Sequence, residues 1–541
     1  MLNNNSHKIT LYLFVSDASV YAWQFKMIER LLLQQNINTI CWVNIDSQPN
    51  KTPLFLSFFY RIDGVLSNCK LSTLESKNIN DFATANATIN LKQLPLEKYF
   101  QQITKETDTS AIVVNLSMNN LVDDILVKTP LHVLSIFIGN QPQVIAPLTG
   151  VVEFITGEKT ITSGIQIEKE SSKNNQTIFS SKTSIEPPSL CRTIETCLQK
   201  TSVFLARSIK NANNNSSTFR MLQQDQSTIS IATAPVKTNL KLSQKSALIS
   251  RYTLRVIKRI MGRLTKKEQW ILLLGNNTSE NKANQALSTF HKIIPPKEEF
   301  WADPFIVSYQ QKHYLFIEVL RYERDLGHLS CMEIYDDGSY SQPKKILERP
   351  YHLSFPNIFE YEGVYYMIPE TGDNETVELY EATSFPYEWK FKHNLMDNIR
   401  AYDSNLVFHN NLWWLFAAVA ESKECPTTEE LYVFYADSPT SKHWTAHANN
   451  PIVSDASCAR PAGKIMEKGS VLIRPSQDCA GSYGAGINFS EIMTLDKTNY
   501  KEKKINTLSA DWDKTLTGVH TFNFDSKYTV SDAMFLRGKR A

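Results

Sequence analysis

Three acidic residues occupy comparable positions in successive stretches of the second half of the chain: Asp303, Glu370 and Asp403. Each stands at the mouth of an apolar run of strand-forming residues, which we interpret as an inner strand of a sheet. Acids are rarely buried without a partner, and an unpaired buried acid costs desolvation free energy. Converging carboxylates supply what sugar chemistry requires, because one acts as nucleophile or base, a second as acid, and a third tunes the others.

Positively charged and aromatic residues accompany the acids. Arginine binds phosphate or carboxylate through two parallel hydrogen bonds, and an aromatic ring offers a flat face to a sugar. The predicted substrate-binding residues are His352, Arg460, Arg474, His520 and Trp301. The alternative is structural, since aspartates cap turns, a lone histidine can be a core residue, and aromatic residues on strands mostly are. Acids in a funnel can hold Ca²⁺ or Mg²⁺, but no loop has the ligand spacing of such a site, so we assign no metal ligands and the metal requirement stays open. We expect no cofactor.

A strand, a polar turn and a second strand recur five times in the stretches that contain these residues. With Asp303, Pro356, Asp403, Arg460 and His520 as markers, the spacings are 53, 47, 57 and 60 residues. Several short strands per repeat of this length predict a five-bladed β-propeller, in which the marked residues converge on one central funnel. The run 269–274, ahead of the first repeat, is predicted to complete the last blade and close the ring.

The first part of the chain has a different pattern. Strand-like runs at Lys8–Ser16, Thr39–Val43, Ser110–Leu116 and Val133–Gly139, with a helical period over Ala22–Gln35, predict a doubly wound α/β domain. The predicted fold is therefore multidomain. Residues 1–210 form the α/β domain, 211–267 a linker with a basic helix, and 268–541 the propeller.

The end of the predicted linker is strongly basic. Between Lys241 and Lys267 there are nine Lys or Arg residues and no acid, interspersed with aliphatic residues. Such a helix can lie on an anionic bilayer surface. It can also pack on the propeller with a solvated basic face.

Composition narrows the function classes further. The net charge of +2 argues against a chain-wide nucleic-acid surface. No apolar run approaches ~18 residues, so we expect no helix that spans a membrane. The sequence contains no CxxC pair, so we expect no zinc site of that kind. Without a signal-peptide pattern at the N-terminus, we expect a cytoplasmic protein, which the basic helix can associate with a membrane. The oligomeric state stays open.

The repeats resemble one propeller family. Trp301–Phe305, His352–Pro356, Ala459–Gly463, Arg474–Cys479 and His520–Thr521 are similar to the N-terminal domain of plant glucosamine inositolphosphorylceramide transferases, which is also found in bacterial proteins behind a formyltransferase-like domain. The resemblance covers most of residues 268–541. The plant enzymes carry a separate glycosyltransferase domain after the propeller, and because this sequence ends at Ala541 we expect that domain's activity not to carry over.

The first domain resembles formyltransferase-like proteins through Tyr21–Trp23, Asn115–Ser117 and Ile136–Asn140. That family works with an Asn, a His-Pro-Ser segment and an Asp around a folate cofactor. Here Gly139–Pro142 stands where His-Pro-Ser would be expected and contains no His. The resemblance therefore implies a catalytically inactive relative, and an active formyl or acyl transferase is the disfavoured alternative.

A weaker resemblance, in fold and Asp placement, is to five-bladed glycoside hydrolases such as arabinanases and invertases. It implies that Asp303 is the base or nucleophile, with Asp403 and Glu370 dividing the tuning and acid roles. The predicted function is a carbohydrate-active enzyme, a glycosyltransferase of cell-surface glycan or glycolipid biosynthesis that uses the propeller funnel. The alternatives are a non-catalytic module that binds glycans or phosphosugars, and a glycoside hydrolase-like activity. The predicted partner is a sugar or glycolipid substrate.

Overall fold

The computed structural model describes residues 9–16, 18–34, 36–45, 52–84, 90–103, 111–117, 133–139, 149–168, 176–186, 189–214, 240–277 and 287–539. They form two compact units, residues 1–255 and residues 256–541. Residues 215–239 of the predicted linker and the segment Asn140–Pro142 lie outside the described residues.

The first unit is built on a seven-stranded sheet in the order β5-β3-β1-β6-β7-β8-β9. Its strands are β1 Ile9–Val15, β3 Ile37–Asn44, β5 Asn90–Leu94, β6 Ala111–Asn115, β7 Val133–Ile138, β8 Thr160–Glu168 and β9 Gln176–Ser184; β2 Ser19–Tyr21 and β4 Ser76–Asn78 pair as a separate ribbon. The first five strands in this order are parallel and the last two pairings are antiparallel, so the sheet is mixed. The central strand β1 is buried along almost its whole length, as expected of a parallel strand.

Seven α-helices lie in the described part of the chain. They are α1 Ala22–Leu32, α2 Leu54–Ser67, α3 Leu96–Ile103, α4 Val151–Thr156, α5 Leu190–Thr201, α6 Phe204–Asn214 and α7 Leu242–Thr265. Helix α1 buries Trp23, Met27 and Leu31, which recur every fourth residue and so share one face. None of these helices has the length and apolar character needed to cross a membrane.

The second unit is a five-bladed β-propeller, as predicted. Blade 1 contains β12 Glu299–Tyr309, β13 Lys312–Arg321, β14 Leu326–Ile334 and β15 Lys344–Leu347; blade 2 contains β16 Ser354–Tyr361, β17 Val364–Glu370, β18 Thr376–Ser384 and β19 Glu388–Asp397. Blade 3 contains β20 Ala401–His409, β21 Leu412–Val419, β22 Glu430–Ala436, β23 Thr445–Ala446 and β24 Val453–Ser454; blade 4 contains β25 Met466–Lys468, β26 Val471–Asp478, β27 Gly486–Leu495 and β28 Tyr500–Ser509. Blade 5 contains β29 Leu516–Gly518, β30 Phe522–Phe524, β31 Tyr528–Gly538, β10 Lys266–Asn276 and β11 His291–Ile293.

The last blade joins the two ends of the propeller sequence. Strand β10 pairs antiparallel with β31, from Lys266 opposite Gly538 to Asn276 opposite Tyr528. This confirms the prediction that the run 269–274 closes the ring. Closure matters because it leaves neither terminal blade with an open edge.

A β-bulge interrupts the inner strand of each of the first three blades. The pairing register shifts around Asp303, Phe355 and Asp403, and all three residues have a positive φ, of 50°, 46° and 53°. A bulge re-aims the side chain it carries, and a positive φ in a residue other than glycine is a strained conformation. Phe355 rather than the predicted Pro356 therefore corresponds to the aspartates in blade 2.

Asparagines connect neighbouring blades next to these bulges. Asn357 Nδ2 donates to the carbonyl of Ser404 at 3.1 Å, and Asn523 Nδ2 donates to the carbonyl of Pro304 at 2.8 Å. Asn405 donates in the same way to the carbonyl of Gly463. These bonds satisfy buried carbonyls that bulged strands leave unpaired, and they hold adjacent inner strands together around the centre.

Gly463 in blade 4 corresponds to Pro304 and Ser404, because its carbonyl also accepts a hydrogen bond from an asparagine of another blade. Its replacement tests how closely the backbones of neighbouring blades pack there. Its φ is 131°, and a Cβ there would lie 2.2 Å from the Phe522 carbonyl oxygen. Gly463→Ala is expected to lower the free energy of unfolding by about 2–4 kcal/mol, measured by urea unfolding. Gly469→Ala is the matched control, because Gly469 also has a positive φ (61°) but faces open space, and we expect about 1 kcal/mol. Equal losses in the two variants would contradict this packing.

Candidate functional site

Two of the predicted acids meet at one arginine in the propeller. Arg460 Nε lies 2.5 Å from Asp403 Oδ2, and Nη2 lies 2.9 Å from Glu370 Oε2 and 3.3 Å from Asp403 Oδ1. All three side chains are buried. Gln477 Nε2 donates a further hydrogen bond to Asp403 Oδ2 at 2.8 Å. Glu370 reaches this point from the end of β17, the second strand of its blade, and not from an inner strand as predicted.

The charges in this group depend on one another. Burial raises the pKa of Glu370 well above its usual range. The positive charge of Arg460 acts to lower this pKa, and the negative charge of Asp403 acts to raise it. Burial would lower the pKa of Arg460, but Asp403, Tyr483 and Glu370 outweigh it and raise that pKa. The guanidinium therefore stays charged, whereas burial favours the protonated form of Glu370.

A second buried group forms around the other predicted acid, Asp303. Its Oδ1 accepts a hydrogen bond from Thr521 Oγ1 at 2.7 Å, and its Oδ2 accepts the backbone N–H of Phe355 at 3.1 Å. His520 Nε2 lies 3.5 Å from Asp303 Oδ1, and His520 Nδ1 lies 2.7 Å from Asp532 Oδ2. The imidazole thus lies between two carboxylates.

Sequence reasoning missed Asp532, which organises this group. Its carboxylate accepts the backbone N–H groups of Asp303 at 3.0 Å, His520 at 3.0 Å and Thr521 at 2.9 Å. It lies on β31, the strand next to the inner strand of blade 5. The repeat pattern contains a signal for it. In blades 1 and 2 the second strand also carries an acid, Glu318 or Glu370, at the end that pairs with the start of the inner strand.

The pKa values of Asp303 and His520 are both raised. Burial raises the pKa of Asp303 to about 7. His520 acts to lower this pKa, and Asp403 acts to raise it further. Burial alone would lower the pKa of His520, but Asp532, Asp303 and Asp403 outweigh it and raise that pKa to about 9. Both pKa values therefore lie near the range in which enzymes work.

This pair predicts a pH-dependent stability. A histidine whose pKa is about 9 when folded and near 6.5 when unfolded stabilises the fold below pH 6.5, and that contribution disappears as the pH rises through 9. The raised pKa of Asp303 acts in the same direction. Between about pH 6 and 9.5 the free energy of unfolding of the wild type should fall by at least about 3 kcal/mol more than that of the double variant Asp303→Asn, His520→Gln. Urea unfolding at both pH values measures this, with the exposed His443→Gln as the control; parallel pH profiles would contradict it.

Aromatic rings surround the two groups. Trp270 stacks on His520 with a centroid distance of 4.0 Å and an interplanar angle of 22°. Tyr483 connects the groups, since its ring lies 5.6 Å from the His520 ring and 5.3 Å from Arg460 Cζ. Tyr483 is 44% exposed, whereas the charged groups below it are buried. It is therefore the ring of this site that a ligand reaches first.

His352 lies at the border of the site. Its Nδ1 accepts the backbone N–H of Gly327 at 3.1 Å, so Nε2 carries the proton and faces Glu318 Oε1 at 3.2 Å. Its side chain is 26% exposed, and the Glu370 carboxylate is close enough to act on its pKa. Like Tyr483, it is accessible to a bound molecule.

Two predicted binding residues have other partners. Arg474 Nε and Nη2 lie 2.8 and 2.7 Å from the carboxylate of Glu502 on the outer strand β28, and Nη2 also donates to the carbonyl of Cys458. Trp301 lies in the hydrophobic core with Ile306 and neighbours, and its indole N–H donates to Glu299 Oε1 at 3.1 Å. The structure thus brings together Asp303, Glu370, Asp403, Arg460 and His520, with His352 beside them.

Among the described residues, Asp303, His520 and Asp532 have the right composition for a cation site, with ligand atoms within 4.8 Å of one another. The carboxylate oxygens are already engaged, however. Asp532 accepts three backbone N–H groups, and Asp303 accepts Thr521 and Phe355. This donor set fits a protonated imidazole better than a metal ion, which requires the same lone pairs.

Residues 286–533 match the family model described as glucosamine inositolphosphorylceramide transferase 1, N-terminal. The glucosamine inositolphosphorylceramide transferase 1 of Oryza sativa subsp. japonica is 36% identical over 240 residues, which are 43% of this chain and 32% of the relative. The protein of the same name from Arabidopsis thaliana is 31% identical over 238 residues, 43% of this chain and 31% of the relative. The match thus spans about a third of the length of these relatives. The resemblance predicted for the propeller is confirmed.

Solved structures of glycoside hydrolases align at lower sequence identity. The family 117 glycoside hydrolase Zg3597 of Zobellia galactanivorans aligns with 50% of this chain and 90% of its own, at 11% identity and a TM-score of 0.33. An exo-1,5-alpha-L-arabinanase from a bovine ruminal metagenomic library aligns with 44% of this chain and 94% of its own, at 15% identity and a TM-score of 0.30. Alignments of this quality carry no argument about function.

Proposed function

We propose, from the match of residues 286–533 to a domain of glycolipid glycosyltransferases, that this protein is a carbohydrate-active enzyme of glycolipid or cell-surface glycan biosynthesis. The observation that carries the proposal is that Asp303, Glu370, Asp403, Arg460, His520 and Asp532 all fall inside the matched region. The proposed reaction is transfer of a glycosyl unit from an activated donor to a hydroxyl group of a glycolipid acceptor. The sugar binds at the propeller centre, below Tyr483.

The proposed roles follow from the protonation behaviour of each group. Asp303 accepts the proton of the attacking hydroxyl, since its raised pKa makes it a stronger base than an ordinary carboxylate. The oxygen that loses this proton bonds to the anomeric carbon as the bond to the leaving group breaks. His520, which Asp532 and Trp270 hold in place, supplies positive charge to an anionic leaving group.

The remaining groups are proposed to position rather than to react. Arg460 keeps Asp403 and Glu370 together at one end of the site, and Glu370 is the candidate acid because its pKa is raised. Tyr483 and His352 contact the sugar from the accessible side. Arg474 is left out of the proposed site, because Glu502 already occupies its guanidinium.

The test is a turnover assay with the full-length protein. Nucleotide sugars and lipid-linked sugars serve as donors, and an inositolphosphorylceramide or a related glycolipid serves as acceptor, as the relatives' name suggests. Mass spectrometry of the acceptor should show the addition of one glycosyl unit. Release of free sugar instead would indicate a glycoside hydrolase-like activity.

A non-catalytic glycan- or phosphosugar-binding module is the second candidate. One observation favours it: the match is to the N-terminal part of relatives three times as long as the matched segment, so catalysis in those proteins can belong to another part. Binding of a donor or acceptor without any turnover would support this candidate over the enzyme.

We further propose that the first unit is a formyltransferase-like domain without catalytic activity. Its central strands run outwards from β1 in the order β5-β3-β1-β6-β7, so consecutive strands are added on both sides of β1, as in doubly wound sheets. A formyl-transfer assay with the full-length protein should show no activity, and measurable activity would overturn this proposal.

The basic helix α7 is proposed to make a peripheral contact with an anionic membrane surface. Its aliphatic residues Ile257, Ile260 and Leu264 are exposed together with its cations. An enzyme that acts on glycolipids benefits from such a contact, because its acceptor lies in a bilayer. Reversing the charges of Lys258 and Arg263 to Glu should weaken the binding of anionic vesicles.

A further inference from the structure

Helix α2 in the first unit exposes an apolar face. Leu54 is 90%, Phe58 66% and Val65 82% exposed, and Ile62 and Leu66 are exposed with them. These positions recur at helical spacing, so they form one continuous stripe along the helix. We call them the α2 stripe. A stripe of this size on a helix surface is typical of an interaction site.

The opposite face of α2 is firmly packed, so the stripe belongs to an ordered helix. Phe59 meets Tyr252 of α7 edge-on at 5.0 Å, and the Tyr252 hydroxyl donates to Asp63 Oδ1 at 3.1 Å. Asp63 Oδ2 accepts the backbone N–H of Cys191, at the start of α5, at 2.6 Å. The same contacts place the first half of α7 directly beside α2.

The exposed charges of α2 and α7 themselves have one sign. Arg61 is the exposed charged residue of α2, whereas the acid of this helix, Asp63, is buried and hydrogen-bonded. On α7, Lys245 Nζ lies 5.4 Å from the Phe55 ring, and Arg251 is exposed. No acid occurs between Lys241 and Lys267. The stripe is therefore bordered by cations from both helices.

We propose that the α2 stripe and the adjoining first half of α7 form a docking surface for an anionic phospholipid bilayer. The apolar side chains enter the boundary between headgroups and acyl chains, and the cations of both helices contact lipid phosphates. The chemistry selects this occupant. A second copy of the chain would bring two basic α7 helices together, because a two-fold interface places like surfaces opposite each other, and a nucleic acid has no apolar surface to cover an aliphatic stripe.

This docking surface extends the membrane contact proposed above for α7. It depends on that earlier proposal in one respect, which is that cations of α7 attract anionic lipid. Its test is vesicle flotation with the full-length protein, using phosphatidylcholine vesicles with or without roughly 30% phosphatidylglycerol. The wild type should bind the anionic vesicles and not the neutral ones. Phe58→Glu with Val65→Glu places two charges in the stripe, and it should lower the affinity at least roughly tenfold. Circular dichroism establishes that this variant is folded.

Matched variants separate the possible outcomes. Met493→Glu changes an exposed apolar residue of the propeller and should leave vesicle binding unchanged. If the α2 variant binds as well as the wild type while Lys258→Glu with Arg263→Glu does not, the α2 proposal is overturned and the α7 contact stands. Failure of the wild type to bind anionic vesicles would overturn it as well. So would a wild-type dimer in sedimentation that the α2 variant converts to a monomer, because the stripe would then be a contact between copies.

Discussion

Replacing Asp303 with asparagine is expected to lower kcat by about 10²–10⁴-fold, the usual loss when a general base is removed. Asparagine keeps the size of the side chain, and its carbonyl oxygen can still accept the Phe355 N–H or the Thr521 hydroxyl. It cannot take up a proton from an acceptor hydroxyl. The affinity for a sugar ligand should therefore change by much less than the rate. Steady-state kinetics and calorimetric titration of the same preparation measure the two effects.

The matched control is Asp525→Asn in the same propeller. Asp525 is also a buried acid paired with a histidine, His313, at 2.5 Å, but it caps the turn before β31 through the N–H groups of Lys527 and Tyr528. Its replacement should leave kcat within about threefold of the wild type, because this pair lies outside the proposed site. Retention of the wild-type rate by Asp303→Asn would exclude Asp303 as the base.

Replacing Arg460 with methionine is expected to cost about 3–5 kcal/mol of unfolding free energy, the largest stability effect we predict. The guanidinium is buried and contacts two carboxylates, at 2.5 Å from Asp403 and 2.9 Å from Glu370. Without it, two acids share a low-dielectric space with no counter-charge. Urea unfolding of the full-length protein at neutral pH measures the loss.

Two further variants identify the cause of this loss. Arg321→Met removes an arginine that is 56% exposed and lies 3.5 Å from Glu299, and it should change stability by less than about 1 kcal/mol. Combining Arg460→Met with Glu370→Gln and Asp403→Asn removes the uncompensated charges, so it should recover a substantial part of the stability. A triple variant no more stable than Arg460→Met alone would mean that packing, and not charge, accounts for the loss.

The repeat pattern was sufficient to predict the propeller and the strand that closes it. Turn residues and strand-forming runs are local signals, and each blade repeats them. The acids Asp303 and Asp403 stood out because each is a charged residue within an apolar run. The phase of each repeat depends on backbone conformation as well. The sequence pattern marks Pro356 in blade 2, but Phe355 has the bulged conformation, which no pattern of residue types reveals.

Partners distant in sequence could not be predicted. Arg474 looks like an anion-binding residue until the fold brings Glu502, 28 residues away, to its guanidinium. Asp532 is 229 residues from Asp303, and its role depends on the closure of the ring by the last blade. The exposure of the α2 stripe is equally hidden, because an apolar run with helical spacing normally predicts a buried helix.

The most direct test of the account is a crystal structure of the full-length Asp303→Asn variant with an intact donor sugar or acceptor bound. The account predicts that the sugar lies at the propeller centre against Tyr483, with its reacting carbon or hydroxyl within about 3–3.5 Å of the side chain of residue 303. A sugar bound on another face of the propeller, with the centre closed above Asp303 and His520, would contradict it.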